Sequence, residues 1–213
     1  MPWATLMTMG VPMSTTNSLT ADDLGSAAQR ERRKRILDAT YDLARDGGFD
    51  AVQMRAVADS AEVALGTLYR YFPSKIHLLV SALAREFERN EALFRKMEIP
   101  GDTAAERVIF VMKRTTRGLQ GDPKLTEALT RAFMFADASV ATEIHTVGML
   151  LTSMLTRAMH PDDDHEPTDQ DVAIARVIGD VWLSALVAWV TGRSTAAETG
   201  AHMETAVGLL LRD

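Results

Sequence analysis

The sequence contains no cysteine. That excludes a disulfide framework, a thiolate zinc site and a cysteine nucleophile. Long apolar runs are also missing. The longest, Val181 to Val190, is about half of what a membrane-spanning helix needs, so no membrane association is expected. The apolar start, Met1 to Met13, lacks the basic n-region of a secretion signal. Alternating β-branched runs bounded by turn dipeptides, the mark of strands, do not occur. There is no Gly-rich phosphate loop and no nucleophile elbow. An excess of basic charge is absent too, since the net charge is −6. Taken whole, that figure argues against a protein dedicated to nucleic acid.

The 213 residues, 46% hydrophobic and 24% charged, suit a chain that folds around a packed core, as one moderate domain or a small domain fused to a larger one. The charge is unevenly placed. Residues 26–96 carry 13 Lys and Arg against 10 Asp and Glu, whereas residues 97–213 carry 10 against 17. Arg30-Glu31-Arg32-Arg33-Lys34-Arg35 concentrates five bases around one acid. Such a cluster can bind phosphate locally or simply begin a solvated helix.

Residues 1–25 are rich in Thr, Ser, Met and Asp without any period, which predicts a disordered leader. Beyond it the punctuation predicts an all-α chain of about nine helices. The first spans about Gln29 to Arg45 and ends at Gly47-Gly48, with Ile36, Thr40, Leu43 and Ala44 inward. Short helices follow at Met54–Ser60 and Leu65–Phe72. Pro73 ends the second, and Ser74 is the N-cap expected for a long helix from Lys75 to about Lys96. Pro100-Gly101-Asp102 breaks the chain close to where the charge changes sign. Further helices are expected at Ala104–Gln120, Pro123–Phe135, Ser139–His160, Asp169–Thr191 and Thr195–Leu211. This divides the chain into the leader (1–25), a head of one longer and two short helices (26–75), a connecting helix (76–97) and a helical body (98–213).

Two short helices joined by a tight turn and preceded by a longer amphipathic one form a helix-turn-helix unit, whose second helix enters the major groove. In the helix Leu65-Gly66-Thr67-Leu68-Tyr69-Arg70-Tyr71-Phe72, Leu68 and Phe72 can anchor inward, and Thr67, Tyr69 and Tyr71 can offer hydroxyls to phosphates. Gly66 removes bulk where the helix approaches DNA. Lys75 adds its charge to the positive end of the next helix. Arg55 can reach a phosphate or a guanine edge. Aromatics at helical spacing are, by composition alone, more often core.

The stretch Val52 to Ala58 followed by Val63 to Lys75 resembles the DNA-binding segment of TetR-family transcriptional repressors. The resemblance implies phosphate contacts from Thr67, Tyr69, Tyr71 and Lys75, and places Leu65, Gly66 and Arg55 nearest the bases. Arg30 and Arg33 of the basic cluster are further candidate DNA-binding residues. Leu65 stands where family members that read bases with a polar side chain carry one, so sequence reading is expected to use thymine-methyl contact, Arg55 and DNA shape. Gly25-Ser26 with Ala28 to Thr40, Leu78 to Leu83, Phe135 to Ser139 and Asp180 to Ser184 are similar to KstR-type repressors of steroid catabolism. That resemblance implies a dimeric repressor, released from a palindromic operator by a steroid coenzyme A thioester.

The helix from Asp169 is apolar nearly all round, which calls for burial on more than one side. A homodimer through this helix and the last one is expected, with Trp189, Met203, Val207 and Leu210 at the interface. Candidate pocket residues are Phe110, Arg114, Leu119, Phe133, Met134, Met149, Met154 and Trp182, most of them adaptable apolar side chains suited to a large lipophilic ligand. Arg176 and Asp180, four apart, are expected to form a local ion pair. The five histidines are scattered, and the acidic loop Pro161 to Pro167 is read as solvated, so neither an enzyme, a metal nor a cofactor is expected. A double-stranded DNA operator, a small lipophilic effector and a second copy of the chain are the expected partners, in a cytoplasmic setting. The alternatives are an efflux-gene repressor sensing drugs and an all-helical lipid carrier whose basic cluster is incidental.

Overall fold

The computed structural model describes residues 21–161 and 165–212. Among these residues the chain is all-α, with no strand. Its helices are α1 (Ala21–Ala51), α2 (Met54–Ser60), α3 (Leu65–Tyr71), α4 (Lys75–Phe94), α5 (Ala104–Gln120), α6 (Pro123–Met134), α7 (Ala141–Met159), α8 (Asp169–Val190) and α9 (Ala196–Leu210), with a single 3-10 turn, Ala138–Val140, ahead of α7. Most of the expected leader, and the three aspartates Asp162 to Asp164, lie outside the described residues. One boundary is corrected: α1 already begins at Ala21. Ala21, Leu24, Ala27, Ala28 and Gln29 are good helix formers that extend the helix backward without needing an apolar period.

The regular part of α1 ends at Gly48, whose φ of 71° and ψ of −161° break the helix. That combination is open essentially only to glycine. Ile36, Leu37, Thr40 and Ala44 line the buried face of α1, and Val52, Val57, Ala58, Ala61, Leu68 and Phe72 complete the core of a small three-helix head. The Thr40 hydroxyl is spent on the Ile36 carbonyl at 2.8 Å, which lets it sit in an apolar core. Glu62 takes φ 54° in the turn between α2 and α3.

The helix α4 carries the chain from this head into the body. Ser74 caps it, its Oγ accepting from the His77 N–H at 3.1 Å. Leu79, Val80, Leu83 and Phe87 are buried along it. In the body, α5, α8 and α9 each begin with a reciprocal capping box, Thr103–Glu106, Thr168–Asp171 and Thr195–Glu198. Each box satisfies N–H groups that the first turn would otherwise leave unpaired. By length and composition α8 is apolar enough to cross a membrane. Here it packs between α7 and α9, burying Ala175, Ile178, Trp182, Ala185 and Leu186. Trp182 donates its indole N–H to Thr116 Oγ1 at 2.9 Å and stands edge-on to Phe87.

Head and body also meet through α1 and α6. Arg45 pairs with Asp122 at 3.0 Å, and the Lys124 ammonium donates to the Asp46 carbonyl at 2.7 Å. The Phe49 N–H donates to Glu127 Oε2 at 3.3 Å. The Phe49 ring lies between two cations, Lys75 at 3.8 Å and Arg131 at 4.3 Å from its centroid.

Candidate functional site

Two sites emerge, one on the head and one in the body. On the head, Leu68 and Phe72 fix α3 from below. With those two positions inward, the helical period turns Gly66, Tyr69 and Arg70 to solvent. Tyr69 is 47% exposed. Tyr71 is half-buried against the core and tilted on Phe72. Thr67 is partly exposed, and Arg55 projects from the first turn of α2 into solvent. A Cβ at Gly66 would meet no atom within 4 Å, so packing within the chain does not require glycine there. Leu65 is half-buried against the core, leaving only part of its side chain for a base contact.

Around this helix the basic residues are differently engaged. Arg30 and Arg33 are exposed, and the Arg33 guanidinium lies 5.6 Å from the Phe72 ring centroid. The Lys75 ammonium faces Phe49. Burial lowers its pKa below the ordinary lysine value, with Asp50 opposing and Arg131 adding to the effect.

The second site is a cavity of about 480 Å³ in the body. Its wall comes from five helices. Leu83 and Phe87 belong to α4, and Leu119 to α5. Thr126, Leu129, Thr130 and Phe133 come from α6, and Ile144, His145, Gly148 and Met149, among others, from α7. Val172, Arg176, Asp180 and Trp182, among others, come from α8. The lining is mainly apolar, with hydroxyls from Thr126, Thr130 and Thr152 and charged groups at Arg176 and Asp180.

Of the expected pocket residues, Leu119, Phe133, Met149 and Trp182 stand in this wall. The other four do not. Met154 is packed in the core, Phe110 is half-buried against it, Arg114 points to solvent, and Met134 is 53% exposed at the end of α6. The expected Arg176–Asp180 ion pair is also absent among the described residues; both side chains are exposed at the cavity. The polar wall residues of α6 and α7 were missed by the sequence reading. Thr126, Leu129, Thr130 and Phe133 do follow the i, i+3, i+4, i+7 spacing of one helical face, and that stripe was the available signal.

The expected interface requires a correction. Met203 and Val207 are buried inside the protomer, where they face Ile109 and Met112 of α5. A side chain without exposed surface cannot touch a second chain. Trp189 and Leu210 are half-exposed. The large apolar side chains left open on α8 and α9 include Val177 and Leu209.

A helix-turn-helix head with an exposed polar α3, joined by shared helices to a body with an apolar cavity, is the architecture of a one-component transcription regulator. Residues 36–82 match the family "Bacterial regulatory proteins, tetR family", and residues 101–210 match "Tetracyclin repressor-like, C-terminal domain". The chain belongs to the TetR family. It is 59% identical over 196 residues to the HTH-type transcriptional repressor KstR of Rhodococcus jostii (strain RHA1), covering 92% of this chain and 90% of that one. Among solved structures it is similar to a TetR transcriptional regulator from Rhodococcus sp. RHA1, with TM-score 0.79, 30% identity and coverage of 87% of this chain and 98% of the other. It also shares the fold of FadR from Thermus thermophilus, a repressor solved with lauroyl-CoA, with TM-score 0.66, 18% identity and coverage of 84% and 93%.

Proposed function

We propose that the chain represses genes of lipid or steroid catabolism as a cytoplasmic homodimer, and leaves its operator when a steroid coenzyme A thioester enters the body cavity. Arg55, with part of Leu65, reads bases near Gly66. Thr67, Tyr69, Tyr71, Lys75, Arg30 and Arg33 hold phosphates. The open space at Gly66 supports close approach of α3 to DNA. The free apolar face of α8 and α9, with Val177 and Leu209 exposed, supports pairing with a second copy, which two half-sites about one turn apart require. The resemblance to KstR-type repressors of steroid catabolism and the lauroyl-CoA bound by Thermus thermophilus FadR support a coenzyme A thioester as the class of ligand.

The observation that carries this reading is shared structure. Leu83 and Phe87 of α4, and Thr126, Leu129, Thr130 and Phe133 of α6, wall the cavity. Those same two helices hold the head, α4 by following α3 through Lys75 and α6 through Glu127 and Arg131 around Phe49. A ligand that changes the preferred pose of α4 and α6 therefore changes the separation of the two heads. Binding of ligand and DNA must then weaken each other by the same factor.

The test begins with a footprint on DNA upstream of neighbouring genes. The protected duplex is then titrated by fluorescence anisotropy with a steroid-CoA, with free CoA and with cationic drugs. Release by the steroid-CoA, and an equal loss of steroid-CoA affinity when operator is saturating, is expected. Simultaneous binding without mutual effect rejects the mechanism. Release by cationic drugs alone points to the efflux reading, and absence of any footprint to a lipid carrier.

A further inference from the structure

The junction between α7 and α8 gathers three metal-ligating side chains that neither the DNA face nor the cavity uses. His160 caps the C-terminal end of α7, His165 lies in the connecting loop, and Asp171 is the third residue of α8. The His160 Nε2 is 2.9 Å from Asp171 Oδ1, and the His165 Nε2 is 3.5 Å from Asp171 Oδ2. The two imidazoles are stacked with centroids 3.7 Å apart. Two ring nitrogens are thus aimed at one carboxylate.

We propose that His160, His165 and Asp171 form a binding site for a divalent transition metal of the zinc type. Two imidazole nitrogens and a carboxylate oxygen suit a borderline cation, whereas calcium and magnesium take oxygen ligands. The donor atoms lie within 4.8 Å of one another. Bonds of about 2.0–2.1 Å to one ion require the two stacked rings to turn until their nitrogens converge, and His165, exposed in the loop, stands open to that movement. The supporting shell is already built. Thr168 donates its backbone N–H at 2.8 Å and its hydroxyl at 2.7 Å to Asp171 Oδ2, orienting the carboxylate. Such outer partners set ligand orientation in metal sites. Partial exposure of both histidines provides an entry path and leaves a fourth position for water.

Bound metal would tie the end of α7 to the start of α8. Val172, the residue after Asp171, lies in the cavity wall, so the tie fixes one edge of the effector site. The inference does not depend on the identity of the effector.

The experiment is calorimetric titration of the untagged full-length protein with zinc chloride, paired with cobalt(II) absorption. One zinc per chain and cobalt bands of a nitrogen- and oxygen-ligated ion are expected. Loss of an outer-shell partner typically weakens a metal site about 10–100-fold, so removing a ligand in His165→Ala should cost about 100-fold or more. His202→Ala, an exposed residue of α9 outside the cluster, should bind as wild type. His160→Gln is the second test, read alongside circular dichroism to show that each variant is folded. Wild-type protein that takes up no zinc, or folded His165→Ala and His160→Gln proteins that bind it unchanged, would overturn the proposal.

Discussion

Lys75 has one observed role, in the fold, and one proposed role, on the DNA face. Its ammonium sits over the Phe49 ring, an attraction worth about 0.5–2 kcal/mol depending on desolvation. It also stands at the N-terminus of α4, where free backbone N–H groups and the helix dipole favour a phosphate. Replacing it tests the two roles separately. Lys75→Ala should weaken binding to all duplexes alike and lower the slope of log affinity against log salt by about one per head. Phe49→Leu keeps the charge and removes the aromatic face, so it should lower thermal stability while leaving that slope in place. Salt titrations of the two variants on one operator duplex make the comparison. A slope unchanged in Lys75→Ala removes Lys75 from the phosphate contacts.

At the scale of elements, the end of α1 is the most sharply specified point. Gly48 lies in a region of φ and ψ that other residues enter only at about 1–3 kcal/mol. A Cβ there would meet Glu127 Oε2 at 3.4 Å, an ordinary contact, so the cost of Gly48→Ala is backbone strain. In a chain of this size each kcal/mol lowers the melting temperature by about 2–4 °C, which differential scanning calorimetry resolves. This glycine was legible as a helix stop in the sequence, as were Pro73 and Pro100-Gly101, because each acts through local backbone chemistry. The anchors Leu68 and Phe72 were legible from their spacing of four on one helical face. The interface was less so. On α9, Met203 and Val207 follow the spacing expected of a face that meets a partner, yet they meet α5, and Leu209 is exposed instead. Periodicity identifies an apolar stripe but not the surface it covers. The cavity shows the same limit. Its wall is assembled from five helices whose mutual rotation is tertiary, which is why Met154 packs in the core and Thr130 faces the cavity.

For the whole molecule, the net charge of −6 conceals a division of labour. The basic excess lies in the head and connecting helix and the acidic excess beyond Lys96, so attraction to DNA is concentrated on the head while the body is repelled. In the proposed mechanism the head and body are linked through α4 and α6, and that link should be separable at the ligand end alone. Gly148 stands in α7 and in the cavity wall, and a Cβ built there meets nothing within 4 Å. Removing a glycine from a helix interior stabilises by roughly 0.5–1 kcal/mol, so Gly148→Leu should fold at least as well as wild type. Its side chain would occupy space that the effector needs. The operator affinity should stay unchanged, because α3 and the basic cluster are untouched. The effector concentration that releases half of the DNA should rise at least about tenfold, a loss of about 1.4 kcal/mol in ligand binding. Anisotropy of the operator duplex, titrated with steroid-CoA against both proteins, measures this shift. Equal sensitivity in the two proteins would place the effector outside this cavity, and an equal drop in operator affinity without ligand would show that α7 supports the DNA-binding pose directly.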